Sequence, residues 1–371
     1  MGTISAYETA SGKRYRVRYR KPDRSQTDKR GFRTKLEAER FLASTEVSKS
    51  RGEFVDVSTG RIKIGRLGDD WLTHRGHLKA SSARPLGIAW RLHVAPRWAA
   101  IPVADVRYSD VQTWVTDMHL VREMSPTSVL RAYGVLASIL DVAVRDRRVL
   151  SNAARGVKLP RKVGKEHIYL SHQQVALLAS HCAKNSTMVE FLAYTGLRWG
   201  EMAALRVKDL DFARRRANVY QNAVGVGGAF VLGTPKSHQS RSVPFPGFLS
   251  TPLKELCVGK AASSLVFGTG IAFVRPPDSR RGWWMAALKK CQIADPNFPS
   301  ITRHDLRHTA ASLAISAGAN VKAVQRMLGH SSAAMTLDTY ADLFDDDLDR
   351  VGNALDEARM RSTAMSSSAS V

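Results

Sequence analysis

The residues from Arg14 to Arg20 alternate strictly between arginine and an apolar or aromatic residue. A period of two is typical of a β-strand, because successive side chains point to opposite faces of a sheet. The two predicted faces hold Tyr15, Val17 and Tyr19 on one side and Arg14, Arg16, Arg18 and Arg20 on the other. The amino-terminal part of the chain is therefore expected to form a sheet with one packed face and one strongly basic face.

The residues around this strand predict a small basic module over residues 1–65. A further short strand is predicted from Thr27 to Phe32, and Thr34 with Glu37 matches a capping box that opens a helix through about Lys49. The pattern is that of a three-stranded sheet with one helix, followed by a linker. The module carries 16 Lys and Arg against 8 Asp and Glu, about a third of the excess charge of the chain.

The charge of the whole chain points to a polyanionic partner. Among 371 residues, 56 Lys and Arg stand against 33 Asp and Glu, so the formal net charge is +23 and the pI is about 10.3. Such an excess repels itself unless it meets a polyanion, and binding to nucleic acid releases condensed counterions. We favour nucleic-acid binding over a ribosome-associated or merely basic protein, with the arginine face of the predicted sheet as one contact surface.

Residues 66–160 show helical spacing without an alternating strand. Leu67 and Trp71 recur at a helical interval, and Ser81-Ser82 and Ser125-Pro126 are typical helix starts. This region predicts a small all-helical domain. Its candidate phosphate contacts are Lys79, Arg84, Arg91, Arg97, Arg107 and Arg131.

A basic segment without periodicity separates this domain from the rest of the chain. It runs from Val157 to Lys165, contains a proline and a glycine, and includes Arg161 and Lys162 as candidate DNA contacts. A third domain is expected over residues 161–371. Its tail, from about Ser362, has the low-complexity composition of a disordered segment.

Several functional classes are excluded by what the sequence lacks. Three widely spaced cysteines, Cys182, Cys257 and Cys291, do not form a disulfide framework, and the sequence has no metal-ligand spacing and no P-loop. No run approaches the ~18 consecutive apolar residues of a membrane span, and the amino terminus lacks the pattern of a secretory signal. The sequence indicates a soluble, cytoplasmic protein that needs neither a metal nor another cofactor.

The first of three reactive clusters in the third domain surrounds an arginine. An apolar helix is predicted to end at Gly196, and Arg198 opens the next helix with Glu201 on the same face. An arginine at a helix amino terminus favours an anion, because its guanidinium and the free backbone N–H groups both face it. The alternative is an ordinary surface pair of arginine and glutamate.

The second and third clusters supply a lysine, two histidines, a second arginine and a tyrosine. Lys236 lies in a predicted β-turn, where a lysine can protonate a leaving oxygen. His304 and Arg307 share one face of a predicted helix, while His330 follows a short helix and Tyr340 comes ten residues later. Taken singly, each residue also fits an ordinary structural role at a helix end, on the surface or in the core.

Together these six residues fit phosphodiester chemistry without a metal. The transition state gathers negative charge on its non-bridging oxygens, which planar guanidinium groups bind in a bidentate way. Preorganised cations are usually the largest catalytic contribution, and one donor is worth ~10²–10³ in rate. The phenol of a tyrosine is a suitable nucleophile, because it can leave again when the reaction reverses.

The same residues resemble the motifs of the tyrosine recombinases, specifically the phage-type integrases. The matching motifs, in family order across roughly residues 170–345, are Thr195-Gly196-Leu197-Arg198 with Glu201, Lys236 with Arg241, His304 with Arg307, Leu328-Gly329-His330, and Tyr340. The helical middle region resembles the core-binding (SAM-like) domain of that family, and the amino-terminal module resembles its arm-type DNA-binding domain. The resemblance implies a multidomain α+β fold that ends in a mainly helical catalytic domain with a small antiparallel sheet.

The resemblance also implies the course of the reaction. Tyr340 would attack the scissile phosphate, form a 3′-phosphotyrosyl bond and release a 5′-hydroxyl. Arg198 and Arg307 would clamp the non-bridging oxygens, and Lys236 would protonate the leaving 5′-oxygen. Rejoining would be the same step run backwards, so neither ATP nor a metal ion is needed.

The remaining motif residues take supporting roles by the same resemblance. His304 would assist by hydrogen bonding or proton transfer, His330 would donate to a phosphate oxygen, and Glu201 would orient its neighbours. We also count Arg241 among the candidate DNA contacts. Many relatives carry a histidine two residues after the tyrosine, where this chain has Asp342, but that position lies outside the usual catalytic set.

The expected function is that of a site-specific recombinase that integrates and, with helper factors, excises a mobile genome. The implied partners are double-stranded DNA at core-type and arm-type attachment sites, three further copies in a tetramer on DNA, a host DNA-bending protein and an excisionase. The implied location is the host cytoplasm, in association with the nucleoid. The alternatives are a chromosome-dimer resolvase, a type IB topoisomerase and a non-catalytic DNA-binding protein.

Overall fold

The computed structural model describes residues 2–22, 24–52, 54–55, 59–162, 164, 167–234, 240–343, 352, 355–357 and 359–360. Lys236 and the tail from Ser362 lie outside these described residues. The chain divides into two compact units, Met1–Gly164 and Lys165–Val371. The multidomain α+β class predicted from the sequence is confirmed.

The first unit begins with an antiparallel sheet of three strands in the order β1-β2-β3. The strands are β1 (Thr3–Thr9), β2 (Gly12–Arg20) and β3 (Gln26–Phe32). β2 contains the alternating arginines, and Val17 on its opposite face is fully buried. Arg18 pairs with Thr3 on β1 and with Asp28 on β3, so the arginine face also carries a carboxylate.

Helix α1 (Lys35–Ser50) packs on the apolar face of this sheet. The predicted capping box is present: the Thr34 side chain accepts from the Glu37 backbone N–H, and the Glu37 carboxylate accepts from the Thr34 backbone N–H. The Phe41 ring lies 5.7 Å from that of Tyr19 and 5.3 Å from that of Phe32. Because α1 covers the apolar face, the arginine face is the one left open.

The rest of the first unit is helical. Its helices are α2 (Ile64–Thr73), α3 (Ala80–Ala89), α4 (Ala95–Trp98), α5 (Tyr108–Thr116) and α6 (Pro126–Arg145), with π-helical turns at Trp90–Val94 and Asp117–Val121. By length and composition alone, α6 could cross a membrane. Its side chains Val129, Leu136 and Ile139 are fully buried with Trp98 in the core of this unit, as expected for the central helix of a folded domain.

The two predicted helix starts in this domain have different outcomes. Ser125 caps α6 as expected, since its hydroxyl accepts from the Ser128 backbone N–H. The start predicted at Ser81-Ser82 is displaced, because Lys79 is the N-cap of α3 and makes no side-chain cap. The Ser82 backbone N–H donates instead to the Lys79 carbonyl, so the first turn is closed by the backbone.

The second unit is mainly helical with two small antiparallel sheets. Its helices are α7 (His172–Ser180), α8 (Ser186–Thr195), α9 (Trp199–Ala203), α10 (Ser250–Cys257), α11 (Trp283–Ala294), α12 (Asp305–Ser316), α13 (Val321–Leu328) and α14 (Ala333–Tyr340). Its strands are β4 (Leu210–Asp211), β5 (Arg216–Val219), β6 (Asn222–Val226), β7 (Ala229–Gly233) and β8 (Arg241–Pro244). Strands β4, β5 and β8 form one sheet, and β6 with β7 forms a separate hairpin, so the small sheet that was predicted is divided in two.

Two hydrophobic clusters support the reactive residues of this unit. The larger one contains Phe191 of α8, Met202 of α9 and Leu306 of α12. The smaller one joins α12, α13 and α14, and its buried members are Ala311, Ile315, Val324, Leu328 and Tyr340. The residue predicted to be the nucleophile is thus part of the packing that holds the last three helices together.

Candidate active site

The turn between α8 and α9 presents the first arginine. Gly196 ends α8 with a φ of +64°, the left-handed conformation that favours glycine. Arg198 is the N-cap of α9, and its backbone N–H donates to Glu201 Oε2 at 2.9 Å. Its Nη1 donates to Glu201 Oε1 at 3.0 Å, so the predicted Arg198–Glu201 pair is a direct ion pair.

Glu201 holds a second arginine that comes from β8. Arg241 donates through Nη1 and Nη2 to the two carboxylate oxygens of Glu201, at 3.1 and 2.6 Å, and through Nε to the Met327 carbonyl at 3.0 Å. The Arg241 side chain is only 9% exposed, and its role as a DNA contact stays a prediction. Burial alone would raise the pKa of Glu201, but the hydrogen bonds and charges of Arg241 and Arg198 outweigh it, and the pKa is lowered.

Arg307 of α12 is the most deeply placed guanidinium of the site. It is 4% exposed, and it donates to the Gly196 carbonyl at 2.5 Å and to the Leu328 carbonyl at 2.6 Å. Both carbonyls lie where a helix ends, at α8 and α13, and the carboxyl end of a helix favours a positive charge. Burial, followed by repulsion from Arg198, lowers the pKa of Arg307 to about 9, so the group stays protonated at neutral pH.

The three arginines leave this cluster with excess positive charge. Arg198, Arg241 and Arg307 act on one another and on Glu201, which is the carboxylate they share among the described residues. Two positive charges therefore remain uncompensated in a poorly solvated place. Such an arrangement is costly in a free protein and favourable once an anion with several oxygens is bound.

The two predicted histidines adjoin these arginines and are neutral at pH 7. His304 precedes α12, and its pKa is lowered by partial burial and then by the charge of Arg307. The Nδ1 atom of His330 lies 3.0 Å from the Thr336 hydroxyl. Burial, followed by the charges of Arg307 and Arg198, lowers the pKa of His330 to about 4. Each ring thus keeps one N–H that can serve as a donor.

Tyr340 is the last residue of α14 and is 1% exposed. Its hydroxyl oxygen lies 3.0 Å from Nδ1 of His308, and its ring stacks with that of His330 at 6.4 Å between centroids and 6° between planes. Burial raises the pKa of Tyr340 to about 12, although the nearby charge of Arg307 acts in the opposite direction. The resting side chain is therefore a protonated phenol beside the arginine cluster.

Three aromatic residues of this site had no role in the sequence analysis. His308 contacts the Tyr340 hydroxyl, the His167 ring lies 4.2 Å from the His308 ring, and the Tyr169 ring lies 6.5 Å from the Tyr340 ring. One signal was available for His308, because it is four residues from His304 and therefore on the same face of α12. No sequence signal places His167 and Tyr169 near residues so far along the chain.

The remaining predicted DNA contacts belong to the first unit. Arg18 and Arg20 on the sheet are exposed, and Arg14 and Arg16 are half-buried. The contacts predicted in the helical part and in the segment that follows it are all exposed: Lys79, Arg84, Arg91, Arg97, Arg107, Arg131, Arg161 and Lys162. Lys236 lies outside the described residues, so its place beside the arginine cluster stays a prediction.

Comparison with known proteins agrees with this geometry. The family model described as the phage integrase family matches residues 169–346, a segment that contains the three arginines, Glu201, His304, His330 and Tyr340. The integrase of Mycobacterium phage D29 is 25% identical over 324 residues, which is 83% of this chain and 84% of that protein. The ICEBs1 integrase of Bacillus subtilis is 28% identical over 261 residues, 66% of this chain and 70% of that protein.

Solved structures share the fold. The Tn1549 transposon integrase in complex with a circular intermediate DNA gives a TM-score of 0.65 at 21% identity, over 78% of this chain and 99% of that one. A lambda integrase dimer bound to a core site gives 0.57 at 14% identity, over 92% and 95% of the two chains. The family match, together with the arginine, histidine and tyrosine cluster, identifies residues 169–346 as a phage integrase family domain, and members of that family are tyrosine recombinases that break and rejoin DNA.

Proposed function

We propose that this site-specific recombinase uses Tyr340 to cut and rejoin DNA through a 3′-phosphotyrosyl bond. One observation carries the proposal: the Tyr340 hydroxyl lies 3.0 Å from His308, the residue that follows Arg307, so nucleophile and anion site lie side by side within one catalytic unit. The two uncompensated positive charges of the arginine cluster supply the attraction for the scissile phosphate. A phosphate group fits such a site, because guanidiniums bind its oxygens in a bidentate way.

Cleavage then follows from the chemistry of these groups. A bond forms between the Tyr340 oxygen and phosphorus, the phenol proton passes to the neutral imidazole of His304, and the bond from phosphorus to the 5′-oxygen breaks. Arg198 and Arg307 offset the charge that develops on the non-bridging oxygens, and Lys236 gives a proton to the leaving 5′-oxygen. Attack by the 5′-hydroxyl of a partner duplex reverses these steps, so the bond energy is conserved.

The other residues of the cluster act on the same phosphate or on its arginines. His304 and His330, neutral at pH 7, offer N–H donors to a phosphate oxygen. Glu201 holds Arg198 and Arg241 in place through its two carboxylate oxygens. We therefore assign Arg241 to the support of the anion site rather than to a direct DNA contact.

The DNA is proposed to be bound by the first unit as well. The arginine face of the β1-β2-β3 sheet reads arm-type sites, and the helical domain with Lys79, Arg131, Arg161 and Lys162 follows the core-type site. A lambda integrase tetramer is known bound to a Holliday junction, with a TM-score of 0.56 at 14% identity over 88% of this chain and 96% of that one. A tetramer of this chain on DNA is proposed by analogy, with a host DNA-bending protein and an excisionase as helpers in the nucleoid.

A nicked suicide duplex tests the reaction. Such a duplex loses the short fragment that carries the released 5′-hydroxyl, so the covalent protein–DNA adduct accumulates and is counted on a denaturing gel. The wild-type protein should form the adduct without metal or ATP, and Y340F should bind DNA with unchanged affinity but form none, because phosphate contacts dominate binding. Adduct formation by Y340F, or its absence in the wild-type protein over a library of candidate sites, would overturn the proposal.

The alternatives give different outcomes in simple assays. A type IB topoisomerase relaxes supercoiled plasmid without an attachment site, whereas the proposed recombinase requires one. A resolvase recombines core sites without arm-type DNA, and a non-catalytic binding protein forms no adduct at all.

A further inference from the structure

The Tyr340 hydroxyl has one hydrogen-bond partner among the described residues, Nδ1 of His308 at 3.0 Å. A phenol carries a single hydrogen, and a neutral imidazole carries its hydrogen on only one of its two nitrogens. When the phenol donates to Nδ1, the lone pairs of its oxygen remain available for attack. The direction of this hydrogen bond therefore decides whether the oxygen is presented as a nucleophile.

The His308 ring is held by neighbours on two sides. The His167 ring lies 4.2 Å away at 32°, and the His304 ring meets it edge-on at 5.1 Å and 87°. Partial burial, followed by the nearby His167 and His304, lowers the pKa of His308 to about 4, while Asp305 acts in the opposite direction and Arg307 in the same one. The ring is thus neutral at pH 7, with a free lone pair for the phenol.

We propose that His308 is a positioning residue for the nucleophile: its Nδ1 accepts the hydrogen bond of the Tyr340 hydroxyl and keeps the phenol beside the arginine cluster, and His167 keeps the His308 ring in the required orientation. The inference rests on the proposed function, in which Tyr340 is the nucleophile. It adds two residues, one of them at the start of the catalytic unit, that no motif of the sequence analysis included.

The acidities of the two groups separate positioning from proton abstraction. A phenol with a pKa of about 12 does not give its proton to an imidazole with a pKa of about 4 in the resting protein. His308 therefore acts through geometry, by limiting rotation of the Tyr340 side chain. Orientation alone is effective, since a misplacement of about 1 Å costs up to ~10²-fold in rate.

Three substitutions at one position test the geometry of the hydrogen bond. In H308N the side-chain amide places an acceptor oxygen near the position of Nδ1. In H308Q the longer side chain places it near the position of Nε2, and H308L has no acceptor. We expect single-turnover adduct formation on the suicide duplex to fall about 10- to 100-fold in H308L and H308Q, and less than about 10-fold in H308N. The affinity for DNA should change less than about twofold in all three, because the effect acts on the nucleophile.

A second histidine–tyrosine pair provides the matched control. His172 Nδ1 lies 2.7 Å from the Tyr194 hydroxyl in the same catalytic unit, and the Tyr194 ring packs edge-on against Phe248 at 5.0 Å. H172L and H172N should leave the rate of adduct formation at the wild-type value. A rate in H308L or H308Q equal to that of the wild-type protein, or an equal loss in H308N and H308Q, would overturn the inference.

A spectroscopic measurement covers the case in which a His308 variant folds poorly. In ¹⁵N spectra of protein labelled at histidine, the Nδ1 signal of His308 should have the shift of a hydrogen-bonded acceptor, and Y340F should move it toward that of a free acceptor. An unmoved signal contradicts the inference. The proposed function is judged separately, since it fails only if Y340F still forms the adduct.

Discussion

Arg241 and Glu201 are joined by two hydrogen bonds, from Nη1 to Oε1 at 3.1 Å and from Nη2 to Oε2 at 2.6 Å. The carboxylate is 1% exposed and also accepts from Arg198, so one buried acidic group orients two guanidiniums from different elements. A bidentate pair fixes the plane of both partners, which a single contact does not. The orientation of the Arg198 guanidinium therefore depends on Arg241, which lies 40 positions beyond Glu201 along the chain.

Substitution of Arg241 by methionine should destabilise the catalytic unit. R241M removes the charge at similar volume and leaves Glu201 buried with one partner fewer, at an expected loss of about 3 kcal/mol in the free energy of unfolding. Urea unfolding of the full chain, followed by hydrogen exchange in α9 and β8, measures the loss. R281M breaks an exposed Arg281–Asp278 pair and should cost ~0–1 kcal/mol, so equal losses in the two variants would contradict the expectation.

A methyl group at Gly196 should disturb both the helix end and Arg307. A Cβ there would lie 2.6 Å from the Leu328 side chain, and the backbone has a φ of +64°. G318A is the matched control, because Gly318 has a φ of +82° and no atom within 4 Å of its built Cβ. Both variants carry a backbone penalty of ~1–2 kcal/mol, and G196A should lose ~1–3 kcal/mol more by calorimetry.

The stability of the catalytic unit should fall with acid over a window set by its histidines. The pKa values of His308 and His330 lie at about 4 in the folded protein, against an ordinary value of 6.5, because burial disfavours their charged forms. Between these two pKa values the unfolded chain therefore binds more protons than the folded one. The contribution of the two histidines to the free energy of unfolding is complete above pH 6.5 and is lost as the pH falls toward 4.

The measurement is the melting temperature of the catalytic unit against pH. The double variant H308N/H330N should give a flatter curve than the wild-type protein between pH 6.5 and 4. Parallel curves for the double variant and the wild-type protein would show that other groups set the dependence. As the pH falls below the ordinary glutamate pKa of 4.5, Glu201 adds its own loss, because its pKa is lowered in the folded protein and its stabilisation disappears as the carboxylate is protonated.

The arginine face of the amino-terminal sheet should contribute to DNA binding in a salt-dependent way. Replacing Arg14, Arg16, Arg18 and Arg20 by glutamine should lower the slope of log affinity against log salt by roughly 0.9 for each phosphate that the protein no longer neutralises. The exposed Arg40 of α1 lies outside this face, and R40Q is the control. If the slope of log affinity against log salt for arm-type DNA is unchanged, that DNA binds to another surface of the protein.

Local signals explain why much of the fold was predictable. The capping box of Thr34 and Glu37, the left-handed turn at Gly196 and the end of α12 near Gly318 each depend on a few neighbouring residues. Such signals act within one helical turn, so a sequence shows them directly. The order of the motif residues along the chain was then enough to predict which side chains form the catalytic set.

The contacts that complete the site depend on distant parts of the chain. His308 and Tyr340 are 32 residues apart, and His167 reaches them from the start of the catalytic unit. The burial of Arg241 follows from the packing of β8 against the end of α13. The arginine side chain approaches Gly329 so closely that a Cβ at that position would lie about 3.0 Å from it. A sequence pattern contains neither the packing nor the charge balance that turns this arginine inward.

The three guanidiniums around one carboxylate also give the DNA substrate a role in the stability of the site. In the free enzyme, the arginines repel one another inside the catalytic unit, and the packing of the surrounding helices offsets that repulsion. A strand of DNA brings the missing counter-charge in the form of its own backbone. The nucleic acid is then a structural component of the folded site as well as the molecule that is cut.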